Sequence, residues 1–530
     1  MKKITAIEFT NYKAFYQQGV QNKIAIPEGK NVLIYGENGS GKSSIYEGLR
    51  QFFNSSDNTI EEIPSRHIAV AKTRTENEGT AEAVEVSNEV SVKVIFSDVA
   101  GDDEKVFGVP TETVKGTNYI NRANLLNSFL SYKELLRTYL MDDVRDRAEF
   151  RRKFANLLIE AILAKNINSV TQKTYIKSWE ELFVPRAWYK EINLESLAKG
   201  LKLDIHKINL VLNEILQYFE PNLSVQLRLD NAEIEFIYSS RHNRIGKYPI
   251  CEVDMDIKLF GLEVENEEEN HLTVLNEARL SSLAISIYLA SLINTPQDDF
   301  QYKILFLDDI FIGLDMSNRL PLLQIISEFR KPIIEQFVDD ETNEIVERIQ
   351  EVNGKKQAEA RPFFNDYQIF LSTYDKHWFE IAKNYLSDSK WQSVEMFTHF
   401  ENDIGFCVPL ILTPSLNYYQ KAEIYFRKNK ESKDYPAAAN YLRKECEQQL
   451  KRILYGKYLL KNGEKGSTLL KEEIEELRQS FEKLLSDLAL DATPYNDFSS
   501  IVKATLNPLS HDNLQKPIYK REIEDTFNLT

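Results

Sequence analysis

The amino-acid sequence predicts an α/β fold with a helical region toward its C-terminal end. The apolar run 32–35 leads into a glycine-rich loop and a helical pattern, and a second apolar run, 304–307, ends in two aspartates. Short continuous apolar runs of this kind are typical of strands buried inside a parallel sheet. From residue 413 onward the apolar residues recur at helical spacing, which predicts the helical region.

The glycine-rich loop, Gly36–Ser43, reads G-x-x-x-x-G-K-[ST], the phosphate-binding motif that joins a strand to a helix. Its glycines let backbone N–H groups close around a phosphate, and the start of the helix adds aligned N–H dipoles. Lys42 is expected to reach the β- and γ-phosphates of ATP, and the Ser43 hydroxyl to hold Mg²⁺. The residues predicted to contact the nucleotide here are Asn38, Gly39, Ser40, Gly41, Lys42, Ser43 and Ser44.

The strand at 304–307 is followed by Asp308 and Asp309. Because open α/β sheets bind ligands outside the carboxyl ends of their strands, both carboxylates are expected beside the phosphate loop. Asp308 is placed to hold Mg²⁺, directly or through water, and Asp309 to orient or deprotonate the attacking water. Lys42, Asp308 and Asp309 are therefore the predicted catalytic residues, and Ser43 and Asp308 the predicted metal ligands.

Composition indicates a globular protein with a sizeable core, because 42% of the residues are hydrophobic and 11% are aromatic. The length of 530 residues leaves room for roughly two to four domains. The formal net charge of −16 argues against a protein that coats nucleic acid, since such proteins usually carry a basic surplus. A contact with nucleic acid would therefore need a local basic patch.

Cysteine usage and the start of the sequence bear on the compartment. Cys251, Cys407 and Cys446 lack the spacing of a zinc site or of a disulfide framework, which indicates a reducing environment. The sequence opens directly into a strand-like segment without the apolar region of a signal peptide, and no apolar run is long enough to span a bilayer. We therefore expect a cytoplasmic location.

Apolar periodicity predicts the other elements, including a helical block between about residues 120 and 220. Strands are expected at 4–15, 23–27, 90–96, 225–229, 233–238 and 367–372. The strands on either side of Asp230-Asn231-Ala232 are expected to form a hairpin across these three residues. Polar residues 54–87 are expected to form a long surface excursion, and charged residues 338–362 an insertion.

Further segments resemble motifs of the ATP-binding-cassette (ABC) class of ATPases. Leu275–Ser282 is similar to the signature segment of that class, which opens a helix and contacts the nucleotide of the partner subunit. Gly313–Asp315 resembles the turn that crosses the dimer interface. A helical insertion separates Lys42 from Asp308, and Asn11–Phe15 is similar to the first-strand motif of the SMC/RecF branch, whose nucleotide-binding domain is split into two lobes.

Within this branch, Leu275–Ser281 and Asp308–Phe311 look most like anti-phage defence ATPases of the PtuA family, from Septu and retron systems. The resemblance implies a head-to-tail dimer in which Asn276 of one subunit closes on the nucleotide of the other. It also implies a homo-oligomer that senses or regulates through ATP a separate, HNH-type nuclease, with nucleic acid or a reverse transcriptase and its retron DNA as candidate partners. The implied cofactors are ATP and Mg²⁺, and no membrane partner is expected.

The resemblance, which covers roughly residues 1–390, and the helical pattern from residue 413 onward together predict four domains. They are an ATPase N-lobe with the phosphate loop (1–118), a helical insertion (119–221), an ATPase C-lobe with the signature and the two aspartates (222–412), and a helical docking or oligomerisation domain (413–530). The last domain shows no carboxylate cluster of a nuclease. Its His511 is expected to be structural or interfacial, because no arginine precedes it as in helical-bundle ribonucleases.

Departures from the family pattern predict a slow, switch-like ATPase. Asn276-Glu277-Ala278 replaces the usual Ser-Gly-Gly and adds a negative charge near the expected phosphate. Asp309 replaces a longer glutamate. Tyr374 stands at the position of the switch histidine, with His377 three residues on, and Ser131-Tyr132 takes the place of the glutamine that contacts magnesium.

Other functions remain open from the sequence. The first is a RecF- or SMC-like repair ATPase that binds DNA directly, against which the negative net charge counts. The second is a scaffold that binds nucleotide for stability and hardly hydrolyses it. A membrane-transport ATPase fits poorly, because the nucleotide-binding domain is split and the tail is helical.

Overall fold

A computed structural model describes most of the chain. The described residues are 1–16, 22–64, 89–139, 147–183, 190–238, 245–264, 275–297, 300–338, 345–401, 406–412, 418–427, 435–454, 458, 474–490, 496 and 499–500. Most of the predicted polar excursion at 54–87 lies outside these ranges, as does His511.

The described residues form strands and helices up to residue 412 and helices beyond it. The strands are β1 (Lys3–Thr10), β2 (Lys23–Ala25), β3 (Asn31–Gly36), β4 (Val90–Asp98), β5 (Gly101–Val109), β6 (Phe129–Ser131), β7 (Leu223–Tyr238), β8 (Ile245–Leu259), β9 (Leu262–Glu263), β10 (Ile304–Asp308), β11 (Ile334–Val338), β12 (Ile345–Ile349), β13 (Glu351–Val352), β14 (Lys355–Lys356), β15 (Gln368–Thr373), β16 (Trp391–Glu401) and β17 (Phe406–Leu412). The helices are α1 (Lys42–Asn54), α2 (Asn118–Leu125), α3 (Tyr132–Tyr139), α4 (Arg147–Leu157), α5 (Tyr175–Glu181), α6 (Lys190–Phe219), α7 (Glu277–Asn294), α8 (Met316–Glu328), α9 (Lys376–Tyr385), α10 (Tyr418–Arg427), α11 (Tyr435–Ile453) and α12 (Ile474–Asp487).

A six-stranded sheet, in the order β17-β16-β3-β15-β10-β6, is the core sheet of the molecule. The strands β16, β3, β15, β10 and β6 are parallel, and only the edge strand β17 runs antiparallel to its neighbour. Every residue of β10 is buried. Such a strand needs cover on both faces of the sheet, which explains its continuous apolar sequence.

Alternate residues of β3 enter two hydrophobic clusters, one on each face of the core sheet. Leu33 and Tyr35 pack in the cluster that contains α7 and α9. Val32 and Ile34 pack in the other cluster, with α1 and the strands β1 and β4. With both faces buried, the ends of the strands are where the core sheet can offer polar groups to a ligand.

An antiparallel sheet, in the order β2-β1-β4-β5, provides the second layer on the α1 side. The predicted strands at 4–15, 23–27 and 90–96 correspond to three of its members. The burial of β1 alternates except at Ala6 and Ile7, which are both buried, as expected for a strand with one face against α1 and its neighbours.

The predicted hairpin at Asp230-Asn231-Ala232 is wrong. The strand β7 continues through these residues and pairs antiparallel with β8, with one register shift between Leu229 and Asn231. The shift is a bulge, which absorbs an extra residue without ending the strand. The Asp230 carboxylate pairs with Arg228 of the same strand and with Arg151, which is distant in sequence, both at 3.2 Å.

The predicted helical insertion and the charged range 338–362 both contain strands that were not predicted. The range 119–221 is mainly helical but includes β6, which forms the edge of the core sheet beside β10. The charged range 338–362 includes β12, which pairs antiparallel with β11 at the very start of the range, and the antiparallel pair of β13 with β14.

The chain divides into two compact units, Met1–Thr413 and Pro414–Thr530. The described part of the second unit consists mainly of α10, α11 and α12, whose buried residues include Leu442, Cys446 and Ile474. In the ranges given above, no helix combines the length and the apolar character needed to cross a membrane.

Candidate nucleotide-binding site

The phosphate loop joins β3 to α1 and packs closely on itself. A Cβ atom at Gly36 would collide with the Ser40 hydroxyl and lie 2.8 Å from Lys42 Cγ, so this position requires glycine. Gly41 has a φ of 96°, in the left-handed region that favours glycine. No side chain caps the start of α1, which leaves the N–H groups of its first turn to bind an anion.

The Lys42 ammonium bridges the loop and β10. Its Nζ donates a hydrogen bond to the Gly36 carbonyl (2.7 Å) and lies 3.6 Å from Asp309 Oδ2. Only 5% of the Lys42 surface is exposed, so the charge acts in a setting where water screens it weakly. The Lys42 ammonium therefore contacts both the phosphate loop and the aspartate that follows β10.

Strand register brings polar residues to one level at the carboxyl end of the core sheet. Asp308 of β10 aligns with Ser131 of β6 on one side and with Ser372 of β15 on the other. Ser372 aligns in turn with Ile34 of β3, two residues before the loop begins. This edge is where open parallel sheets bind ligands.

Asp308 is buried, with 6% of its surface exposed. Burial raises the pKa of its carboxyl from 3.8 to about 6, against the hydrogen bond that the Ser372 hydroxyl donates to Oδ1. A divalent cation at this carboxylate would favour the charged form and reverse the shift.

Asp309 adopts a left-handed backbone conformation, with a φ of 52°. For a residue other than glycine this costs on the order of 1 kcal/mol, and the Asp309 N–H offsets the cost by hydrogen bonding to the Ser372 carbonyl and hydroxyl, both at 3.2 Å. Burial raises the pKa of the Asp309 carboxyl, while the Lys42 ammonium opposes the rise. The strained backbone turns this side chain toward Lys42.

Two buried side-chain oxygens among the described residues of the site, Ser40 Oγ and Asp309 Oδ1, have no hydrogen-bond partner in the protein. Buried polar atoms nearly always have a partner, so this pair indicates a ligand. ATP with Mg²⁺ fits the groups present. The N–H groups of the α1 start and Lys42 suit phosphate oxygens, and the oxygens of Ser43 and Asp308 suit the cation.

The other predicted contacts of the loop occupy different environments. Asn38, Gly39 and Ser43 are exposed. Ser44 is buried, and its hydroxyl accepts a hydrogen bond from the Ala14 N–H (3.4 Å). Ser44 therefore joins the phosphate loop to the segment after β1 that resembles the SMC/RecF first-strand motif.

Asn276, the other residue predicted to contact ATP, lies at the start of α7. Asn276 is exposed and caps α7, where its side-chain oxygen accepts the Arg279 N–H (3.0 Å). Within the described ranges it makes no hydrogen bond to the phosphate loop. Because the cap uses only the oxygen, the amide NH₂ group is left as a donor.

Contacts around Asn276 hold the start of α7 in place. Arg279 pairs with Glu220, just beyond α6, at 3.2 Å. Asn318 of α8 donates to the Ser282 hydroxyl at 3.2 Å. Gly313, in the turn after the two aspartates, lies against Ser281, where a Cβ atom would come within 2.7 Å of the hydroxyl oxygen. The signature-like segment and this turn are therefore neighbours.

Sequence reasoning missed two residues that organise the site. Ser372 contacts both aspartates, as described above. Glu134 accepts hydrogen bonds from the Tyr46 hydroxyl (3.0 Å) and the Ser131 N–H (2.9 Å), and it pairs with Arg50 (3.1 Å). The position of Ser372 near the end of a strand next to β10 was the available signal, whereas Tyr46 and Arg50, the helix partners of Glu134, lie far from it in sequence.

The residues at the expected switch position follow β15. The backbone N–H of Tyr374 opposes the rise in the pKa of the Asp309 carboxyl, while the Tyr374 side chain is 42% exposed. His377 is also exposed. Asp375 accepts the Trp378 N–H at the start of α9 (3.0 Å) and pairs with Arg319 of α8 (2.6 Å).

Comparison with known proteins finds one matching family model, described as an AAA domain, over residues 6–243. That range contains the phosphate loop. Together with the core sheet and the helices of the second unit, the match confirms the predicted α/β class with a phosphate-binding loop and a helical C-terminal region. No curated protein matches the sequence.

Solved structures of low identity also match. A crystal structure of an Smc head bound to the C-terminal winged-helix domain of ScpA is 13% identical, covers 78% of this chain and 100% of its own, and has a TM-score of 0.36. An Smc head with an extended coiled coil, bound to the C-terminal domain of ScpA from Pyrococcus furiosus, is 12% identical, with coverage of 81% and 100% and a TM-score of 0.36. The recombination mediator RecF with ATP is 13% identical, with coverage of 77% and 99% and a TM-score of 0.36.

Proposed function

We propose that this chain binds and slowly hydrolyses ATP as an ABC-class ATPase of the SMC/RecF branch. The observation that carries the proposal is the meeting of Lys42, Asp308 and Asp309 beside a helix start that no side chain caps. The AAA-domain match over the same loop supports it.

Each residue has a distinct role in this proposal. Mg²⁺, when bound by Ser43 and Asp308, neutralises charge on the phosphates. Lys42 exchanges its contact with the Gly36 carbonyl for a phosphate oxygen. The unpartnered Oδ1 of Asp309 accepts a hydrogen bond from the attacking water and then its proton.

Two features favour slow turnover. Asp309 is one methylene shorter than the glutamate usual in the class, so its carboxylate reaches less far toward the water. In the absence of nucleotide, Lys42 also binds the same carboxylate at 3.6 Å, and that contact must loosen for the base to act. We expect turnover well below the usual enzyme median of about 10 s⁻¹.

A head-to-tail dimer would complete the site. Asn276 makes no hydrogen bond to the loop of its own chain in the described structure, yet its exposed amide can still donate to a γ-phosphate. In the proposed dimer it donates to the nucleotide of the partner subunit. ATP then closes the interface and hydrolysis opens it, which is a conformational switch.

A mixing experiment tests the shared site. Lys42→Ala removes one half of each site and Asn276→Asp the other half, while aspartate keeps the helix cap. Each variant alone is expected to have little ATPase activity. Mixed in equal amounts, half of the dimers pair the two variants, and each such dimer has one intact site. Activity near a quarter of the wild-type value is expected.

The outcome of mixing distinguishes the arrangements. Recovery of activity supports a site shared between subunits. If the mixture is no more active than the average of the two variants, the shared site is wrong. If Asn276→Asp alone retains full activity, Asn276 has no part in hydrolysis.

The switch is proposed to control a separate nuclease in anti-phage defence, an extension supported by the resemblance of Leu275–Ser281 and Asp308–Phe311 to ATPases of such systems. The rival is a repair ATPase that binds DNA directly. Fluorescence anisotropy with labelled duplex DNA, at about 50 and 200 mM salt, separates them. Tight binding that weakens steeply with salt favours the repair ATPase, and no binding favours control of a nuclease.

A further inference from the structure

A cavity of about 450 Å³ lies in the first unit, away from the residues of the nucleotide site. Its volume is in the range that small-molecule sites occupy. The lining combines apolar and charged residues, among them Leu125, Ile208, Phe300, Arg122, Lys165 and Asp204. Apolar walls with a few polar groups are the usual composition of a ligand site.

Lys165 gives the cavity a partly buried cation. Its ammonium donates to Asn54 Oδ1 (2.7 Å) and to Asn124 Oδ1 (2.5 Å), both neutral amides, and it forms no ion pair within the described ranges. Burial, together with the nearby Arg50 guanidinium, lowers the pKa of Lys165 to about 8. The carboxylates of Glu134, Asp57 and Glu62 act on this ammonium without forming an ion pair with it, so an anionic ligand in the cavity would supply a direct counterion.

The cavity also offers groups that accept hydrogen bonds. Asn166 Oδ1 is buried and has no partner in the protein. Asp204 accepts the Tyr175 hydroxyl (2.6 Å), and burial raises the pKa of its carboxyl. The unpartnered Asn166 oxygen would suit a ligand that carries a donor group as well as an anionic group.

The segment beside the cavity touches the far ends of two helices. Lys165 hydrogen-bonds Asn54, the last residue of α1. The next residue, Asn166, donates to the hydroxyl of Thr295 (2.9 Å), which follows the last residue of α7. The opposite ends of these helices begin at Lys42 and at the signature-like segment.

We propose that this cavity binds a small organic anion bearing a hydrogen-bond donor, and that its occupancy regulates ATP turnover through the ends of α1 and α7. The binding stands on the cavity itself. The regulation rests on the proposed ATPase function.

Pyridoxal 5′-phosphate is a suitable probe, because it is a planar organic anion with an aldehyde. An unprotonated lysine amine forms an imine with the aldehyde and releases water, and borohydride then reduces the imine to a stable secondary amine. At pH 8 about half of an amine with a pKa of 8 is unprotonated, against well under 1% of an ordinary lysine. Mg²⁺ and ATP are included to protect Lys42, and labelled peptides are identified by mass spectrometry.

The expected result is labelling of Lys165 at least about tenfold faster than of the exposed Lys173. Ser169 is exposed and lines the cavity, so Ser169→Trp should block the entrance and slow labelling of Lys165 by at least about tenfold. The matched control is Val170→Trp, because Val170 is exposed but does not line the cavity. Labelling of Lys165 no faster than of Lys173, or equally fast in Ser169→Trp, overturns the binding site.

ATP turnover of the labelled chain tests the regulation. We expect a change of at least about threefold after labelling of wild type and none after the same treatment of Ser169→Trp. Labelling at Lys165 without any change in turnover overturns the regulation and leaves the binding site standing. A chain that never hydrolyses ATP contradicts the proposed function instead, and the mass measurement still decides the binding.

Discussion

Two helices of the first unit begin at segments predicted to touch ATP, and they begin in opposite ways. The helix α1 starts at Lys42 behind Gly41 without a side-chain cap, which leaves its first N–H groups for a phosphate. The helix α7 starts at Glu277 behind Asn276, whose oxygen accepts the Arg279 N–H. The first start is an open anion site, whereas the second is satisfied within its own chain.

The difference indicates when each segment acts. The α1 start lies with the buried Asp308 and the partly buried Asp309, whose charges favour a cation, so it can hold Mg²⁺ and ATP in a single chain. The α7 start offers one exposed amide, which suits a nucleotide that another subunit has already bound. Changes at α1 should therefore abolish ATP binding, and changes at α7 should affect only the closed dimer.

Lys42→Ala should have the largest effect. We expect ATP affinity to fall at least about 100-fold, because a buried cation that neutralises phosphate is lost. A fluorescent ATP analogue titrated into the protein measures this. The control is Lys173→Ala, which removes an exposed lysine paired with Glu181. Unchanged affinity in Lys42→Ala would refute the nucleotide site.

Asn276→Asp provides the contrasting measurement at the α7 start. We expect the affinity of the monomer for the analogue to stay within about twofold of wild type, since Asn276 makes no hydrogen bond to the loop of its own chain in the described structure. ATP-dependent dimerisation, followed by light scattering, should weaken. A loss of monomer affinity as large as in Lys42→Ala would remove the distinction between the two helix starts.

Asp309→Asn should separate binding from hydrolysis. Asparagine keeps the size of the side chain but cannot take a proton, so turnover should fall by at least about 100-fold. ATP affinity should hold or rise, because the Lys42 ammonium no longer has a carboxylate at 3.6 Å. Phosphate release and light scattering together should show an inactive chain that stays dimeric with ATP. Turnover at the wild-type rate would mean that another group activates the water.

Asp308→Asn should change how stability depends on pH. With its pKa raised from 3.8 to about 6, the folded chain keeps a proton that the unfolded chain has released, so the free energy of unfolding falls as pH rises through this window. The full effect is on the order of 3 kcal/mol. Asparagine does not ionise, so Asp308→Asn should remove this pH dependence.

Chemical denaturation at pH 5 and pH 8 without nucleotide measures this change. At pH 8 we expect Asp308→Asn to be about 1 to 3 kcal/mol more stable than wild type, while stabilisation by Mg²⁺ with ATP is lost. The exposed Asp388→Asn serves as the control. A variant that loses stability at pH 8 would show that the carboxylate is not a buried charge in the free protein.

The sequence predicted the elements around the start of α1 well. Gly36–Ser43 is a local motif with the required strand and helix around it, and β10 is an apolar run that ends in the two aspartates. These elements follow from short-range pattern. We expected both aspartates beside the loop because open α/β sheets bind ligands at the carboxyl ends of their strands. The 3.6 Å between Lys42 Nζ and Asp309 Oδ2 depends on the order of the strands, which was not predicted.

Features that depend on distant contacts were missed. Asp230-Asn231-Ala232 has the composition of a turn, yet pairing with β8 continues through this segment, and Asp230 forms an ion pair with the distant Arg151. Glu134 lies where a magnesium-contacting segment was expected, but its bonds to Tyr46 and Arg50 of α1 have no local pattern. Periodicity reports which face of an element is apolar and not which charged residue it will meet.

Ser372→Ala should have the smallest effect. It tests whether Ser372 of β15 stabilises the two aspartates beside the phosphate loop. The Ser372 hydroxyl donates to Asp308 and accepts the Asp309 N–H, so its loss leaves two buried groups with one partner fewer. We expect the free energy of unfolding to fall by about 1 kcal/mol, measured against the exposed Ser387→Ala.

Because the Ser372 hydroxyl stabilises the charged form of Asp308, its loss should raise the pKa of this carboxyl further and weaken Mg²⁺ affinity near pH 6 several-fold. The variant Asn276→Asp should change neither the free energy of unfolding nor the Mg²⁺ affinity of the monomer. No hydrogen bond among the described residues joins the start of α7 to Ser372. An equal loss of Mg²⁺ affinity in Asn276→Asp in the monomer would mean that the two helix starts are already coupled within one chain.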